Sequence, residues 1–200
     1  MKKFLVPLTI LMALLLAAPV LADEIEEQLQ TAIELYKEGN ITGALEELEF
    51  ATAQLRQKKA ENMGALFPEP LAGWKAEEFE SQSMGQAAFG GGITVSRRYI
   101  KDGGGNAVIE VMSDSPMMQT MGMLINNPAL VGASKNTKLI RIKRQKALLK
   151  TERKNKAELT FLVESKVLVR VEVNGLADAA DVAKAYAKKI DLKKLKELTL

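Results

Sequence analysis

The 200-residue sequence contains no cysteine and no histidine. The first absence excludes disulfides, thiolate nucleophiles and thiolate metal ligands. The second removes the usual general base, the commonest metal-binding side chain and the simplest pH switch. A serine nucleophile would therefore need lysine as its base, and residues 23–200 hold no Ser-x-x-Lys spacing. Aromatic residues make up 5%, with a single tryptophan, too few to offer base-stacking platforms, so nucleic acid is not an expected partner. With no recognisable catalytic motif, the chain reads as non-enzymatic, with no cofactor and no resident metal.

Long hydrophobic runs are also scarce. The one present lies at the start, where Lys2 and Lys3 precede the uncharged stretch Phe4–Leu16. Pro19 follows it as a helix breaker, and Ala22 precedes the acidic pair Asp23-Glu24. A basic end, an apolar run and a small residue follow the order of a secretory signal peptide. Residues 1–22 are expected to be removed, which makes the protein exported, periplasmic or secreted. No later run approaches spanning length, so no transmembrane segment is expected after cleavage. Charge is nearly balanced overall and uneven along the chain. Residues 23–80 hold 14 acidic against 5 basic residues, and residues 81–200 hold 11 against 21. Two regions of opposite sign either dock with each other or leave a basic surface for an anionic partner.

Residues 23–66 are expected to form a helical hairpin. Leu29, Ala32, Ile33 and Tyr36 recur at helical spacing, as do Ala44, Leu45, Leu48, Ala51 and Leu55. Gly39-Asn40 is a helix stop and turn, with Thr42 as the expected cap of the second helix. The offsets of Ala32, Leu35, Gly39, Ala44, Leu48 and Ala51 resemble one tetratricopeptide (TPR) repeat. Ile41 stands where that pattern has an aromatic, and Arg56 where it closes with proline. A single repeat cannot build the concave groove of a stacked array, so the resemblance implies a hairpin and not peptide binding.

Phe67-Pro68-Glu69-Pro70 opens a linker over 67–73, since two prolines in three residues hold the chain extended. From Trp74, an expected core anchor, the period changes to two. Strands are expected at 74–82, 93–100, 107–112, 138–144, 147–152, 158–164 and 166–173. Gly90-Gly91-Gly92 and Gly103-Gly104-Gly105 are read as turns, because neither continues as a phosphate-binding loop. Ser115-Pro116 starts a helix to about Ile125, and Asp178 or Asp181 starts a last one to about Ile190. The fold class is therefore α+β: a helical hairpin, then an antiparallel sheet domain over 74–200 with one inserted and one C-terminal helix, the helices on one or both faces. This order, with its Gly73-Trp74 entrance, resembles the Mog1/PsbP-type α/β/α sandwich over 71–195. The resemblance implies an accessory or interaction role. The Pro-x-Pro-x-x-Gly-Trp entrance and the Ser-Pro helix also resemble small exported bacterial proteins of unassigned function.

Two features could bind something. Met117, Met118, Met121 and Met123 crowd the inserted helix, and Pro116–Val131 carries no charge. Such a helix is buried on all sides or meets an apolar ligand or partner. Met118 and Met121, one turn apart, could offer thioethers to Cu(I), but packing is the ordinary use of methionine. Arg141 and Lys143 on one strand and Arg170 on another would form a positive patch if their faces aligned, with Arg97 and Arg98 extending it. The ordinary alternative is a solvated sheet face. The reading is an exported interaction module whose partner is another exported protein. Its alternative is a carrier of a small apolar or anionic-headed ligand under helix 116–125, with Arg141 or Arg170 near the head group.

Overall fold

Alternation of apolar and polar side chains dictates the sheet that dominates this chain. The computed structural model describes residues 24–84, 92–132, 135–152 and 155–197. The expected signal peptide and the Gly90-Gly91 turn lie outside them. Two helices come first, α1 (Glu24–Lys37) and α2 (Ile41–Gly64). Gly39 takes a positive φ of 80° to end α1. The cap of α2 is Asn40 rather than Thr42: its Oδ1 accepts the Gly43 N–H at 3.0 Å. Asparagine one residue earlier outranks threonine for that position.

Seven strands follow: β1 (Trp74–Met84), β2 (Gly92–Lys101), β3 (Asn106–Ser113), β4 (Thr137–Ile142), β5 (Gln145–Glu152), β6 (Lys156–Val163) and β7 (Val167–Asn174). Between β3 and β4 lie α3 (Met117–Asn126) and α4 (Pro128–Gly132), and α5 (Ala179–Lys189) and α6 (Leu192–Glu197) close the chain. The sheet order is β1-β2-β3-β7-β6-β5-β4, and all neighbours are antiparallel. Two meanders thus meet at the β3–β7 seam. The helical segment 117–132 carries the chain across to the far edge, from which β4 to β7 return.

Both faces carry helices. On the first face Val95, Val111, Val169, Phe161 and Ala147 form one buried cross-strand row. The core there includes Ala183, Tyr186 and Ala187 of α5 and Ala60 and Met63 of α2. Val167, Val169, Val171 and Val173 are all buried on this face, as strict alternation requires. Trp74 meets Tyr186 edge-on at 5.5 Å, and Tyr99 lies 4.7 Å from the same ring. The Tyr99 hydroxyl donates to the Pro68 carbonyl at 2.7 Å, which ties segment 67–73 to the core. Burial pushes the Tyr99 phenol well above its ordinary pKa. The second face is covered over β4–β6 by α3 and α4 through Leu124, Ile125, Val131, Leu148 and Leu162.

The chain divides into two compact units within α2, Met1–Leu48 and Glu49–Leu200. Segment 67–73 therefore belongs to the second unit. Helix α5 ends at Lys189, as expected near Ile190, and the separate helix α6 follows, started by the Asp191 carboxylate, which accepts the Lys193 and Lys194 N–H groups at 2.9 and 3.2 Å.

Candidate functional site

The cover of the second sheet face is incomplete, and a pocket of about 250 Å³ lies beneath it. Met121 and Leu124 of α3, Val131 of α4 and Leu148 of β5 supply its apolar lining. Thr137, Lys150, Glu158 and Thr160 supply its polar lining. Strand register explains why these residues meet. Thr137 stands opposite Lys150, and Lys150 opposite Glu158; in the next row Leu148 stands opposite Thr160. These side chains share one face because residues two apart on a strand point the same way. Thr160 is 2% exposed, one of two buried polar residues among those described.

Charge around this floor is largely paired within the protein. Lys150 pairs with Glu152 along β5. Lys156 reaches Glu172 at 3.2 Å. The Glu172 carboxyl is held below its ordinary pKa by the Asn174 amide, which outweighs the opposing effect of burial, with Lys156 adding to it. Arg170, opposite Thr160 in β6, pairs with Glu110 of β3, its Nε donating at 2.8 Å. Glu158 differs: among the described residues it has no ion-pair partner, and its carboxylate accepts the Thr160 hydroxyl at 3.4 Å.

The three expected basic residues are not brought together. Arg141 is exposed on β4, the sheet edge, while Arg170 lies on β7 with β5 and β6 between them. Lys143 is not on a strand. With Arg144 it forms the β4–β5 turn, at φ of 45° and 71°, and its Nζ donates to the Ile190 carbonyl at 2.8 Å. Two successive positive φ values are what a two-residue hairpin turn demands. Arg97 and Arg98 point to opposite faces: Arg97 donates to the Glu77 carbonyl and lies 5.8 Å from the Tyr99 ring centroid. Arg98 pairs with Glu77 at 3.8 Å. Of the two methionines, Met121 lines the pocket and Met118 is half-buried on the same helix. Met117 and Met123 are exposed. Thr137, Leu148, Lys150, Glu158 and Thr160 were not singled out by sequence reasoning; the alternation in β5 and β6 assigns their face, and nothing local marks the pocket above it.

A second concavity lies in the first unit. Ala32, Ile33 and Tyr36 of α1 and Ile41, Ala44, Leu45 and Leu48 of α2 line an apolar groove of about 350 Å³. The alanines are buried, whereas the large side chains are exposed, Tyr36 by 67%.

No protein-family model matches the sequence. No curated protein and no solved structure matches it either. Among the described residues no group of three acidic side chains could hold a metal ion, and no helix is long and apolar enough to cross a membrane.

Proposed function

We propose that this protein is an exported interaction module of a bacterial periplasm that binds another exported protein through the groove between α1 and α2. One observation carries the reading: Ile33, Tyr36, Ile41, Leu45 and Leu48 stand exposed around a single groove. An apolar surface of this kind is typical of sites that a partner covers. Charge selects the partner. Residues 24–48 hold seven acidic side chains and one basic one, Lys37. Apolar anchors flanked by lysine or arginine complement such a rim, and an amphipathic helix supplies both. Like charge argues against a second copy of the same hairpin as occupant. The resemblance of the later part to Mog1/PsbP-type sandwiches adds an accessory role rather than catalysis. Export rests on the order of Lys2-Lys3, Phe4–Leu16 and Ala22.

The test uses two synthetic helical peptides with the same leucine stripe, one flanked by lysine and one by glutamate. Fluorescence anisotropy with the protein should show binding of the lysine peptide, weakened by salt, and at least about tenfold weaker binding of the glutamate peptide. Leu45→Asp should abolish the first interaction even though it adds negative charge, which separates groove binding from simple attraction. Equal binding of the two peptides, or an unchanged affinity in Leu45→Asp, would sink the proposal.

A further inference from the structure

We propose that the pocket beneath α3 and α4 is a second, independent binding site, for a small apolar molecule with a hydrogen-bond-donating head, an ammonium or a hydroxyl. Its size sets the body of the ligand. At about 250 Å³ it exceeds the ~150 Å³ cavity that takes up benzene and falls short of the ~300 Å³ at which drug-sized sites begin. A six-carbon chain or a single ring with a short head suits that space. Met121, Leu124, Val131 and Leu148 give the body an apolar wall, and methionine adapts to variable shapes.

The floor sets the head. The cations near it are already engaged: Lys150 by Glu152, Arg170 by Glu110 and Lys156 by Glu172. A carboxylate or phosphate would compete with those acids for the cations and would face Glu158 as well. The Glu158 carboxylate lines the pocket, accepts the Thr160 hydroxyl and has no ion-pair partner among the described residues. A carboxylate in that state takes a donor, and a charged acceptor makes the stronger hydrogen bond. An anionic head placed by Arg141 or Arg170 is therefore not the fit: neither arginine lines the pocket.

Three ligands with one tail decide the matter: hexylamine, 1-hexanol and hexanoate. Each is titrated at pH 7 into the isotopically labelled protein, with amide shifts followed by NMR. The expected result is shift changes clustered at Met121, Leu124, Leu148 and Thr160, with hexylammonium bound most tightly and hexanoate at least about tenfold more weakly. Glu158→Gln should remove most of the preference for the ammonium while hexanol binding persists. Leu148→Phe, or Met121→Phe should the first fail to fold, should fill the space and abolish binding of all three. Hexanoate binding as tightly as hexylammonium, a preference that survives Glu158→Gln, or shifts scattered away from the pocket would each overturn the proposal. The peptide experiment above reports on the other unit, so either can fail alone.

Discussion

Single residues in this chain are held in conformations that their side chains do not all favour. Arg144 sits at φ of 71° in the β4–β5 turn and is exposed. A side chain in the left-handed region costs roughly 1–2 kcal/mol relative to the ordinary helical one, and glycine avoids that cost. Arg144→Gly should therefore stabilise the protein by about 1 kcal/mol, visible as a higher urea midpoint. Gly105 is the opposite case. Its φ is 87°, and a Cβ there would stand 2.7 Å from Leu176 Cγ and 3.2 Å from the Asn174 carbonyl oxygen. Gly105→Ala combines backbone strain with contact against a neighbouring segment, and a loss of about 1–3 kcal/mol is expected by the same measurement. The glycine run was readable as a turn; the need for glycine at 105 in particular came from the approach of the chain after β7.

Whole elements show how small side chains allow large ones to remain outside. In the α1–α2 hairpin, Ala32 and Ala44 are buried at the groove while Ile33, Tyr36 and Leu45 are exposed. Helical periodicity placed all five on the apolar stripes, but it could not separate those that are buried from those left exposed. The separation follows from size, because close helices exclude large side chains from the tightest positions. Asn40 holds the start of α2, and Asn40→Ala should cost about 1 kcal/mol. Amide exchange at residues 41–44 should quicken more than exchange in the sheet. At the other end of α2, Lys59 reaches Asp114 at 2.7 Å and ties the helix to the loop before α3. Burial raises the pKa of Asp114, but hydrogen bonds from Lys59 and Ser113 outweigh it and leave the carboxyl below its ordinary value. That contribution is complete above the unfolded value of about 4 and is lost as pH falls through the lower folded one. Asp114→Asn should accordingly lower stability at neutral pH and flatten the acid limb of a stability–pH curve, its difference from the wild type shrinking as pH falls below about 4.

The molecule as a whole lacks any side chain that ordinarily titrates near neutrality, since it has no histidine and no cysteine. Its remaining shifted carboxyls point the same way as Asp114: Glu152, Glu164, Glu172 and Asp191 are all lowered, by Lys150, by Lys196, by the Asn174 amide and by the Lys194 and Lys193 amides respectively. Tyr99 and Tyr186 are raised by burial, so their contribution is present below the ordinary phenol value of about 10 and is lost above it. Thermal melts across pH should show a plateau from about 5 to 9, with declines on both sides. A marked transition between pH 6 and 7 would contradict this account.

The sequence by itself determined the seven strands, the four longer helices, the α+β class and the buried valine face of β7, because each depends on local periodicity and on turn residues; the short helices α4 and α6 were not among its expectations. It could not determine strand order, and strand order decides the rest. Placing β7 between β3 and β6 sets Arg170 against Glu110 and leaves two strands, β6 and β5, between it and Arg141 on β4. The same order carries α3 and α4 over the β4–β6 half of the second face and leaves the pocket there. Turn geometry sets the pairing of consecutive strands, but β3 and β7 lie far apart in the chain with no turn between them, and no local signal names them as partners.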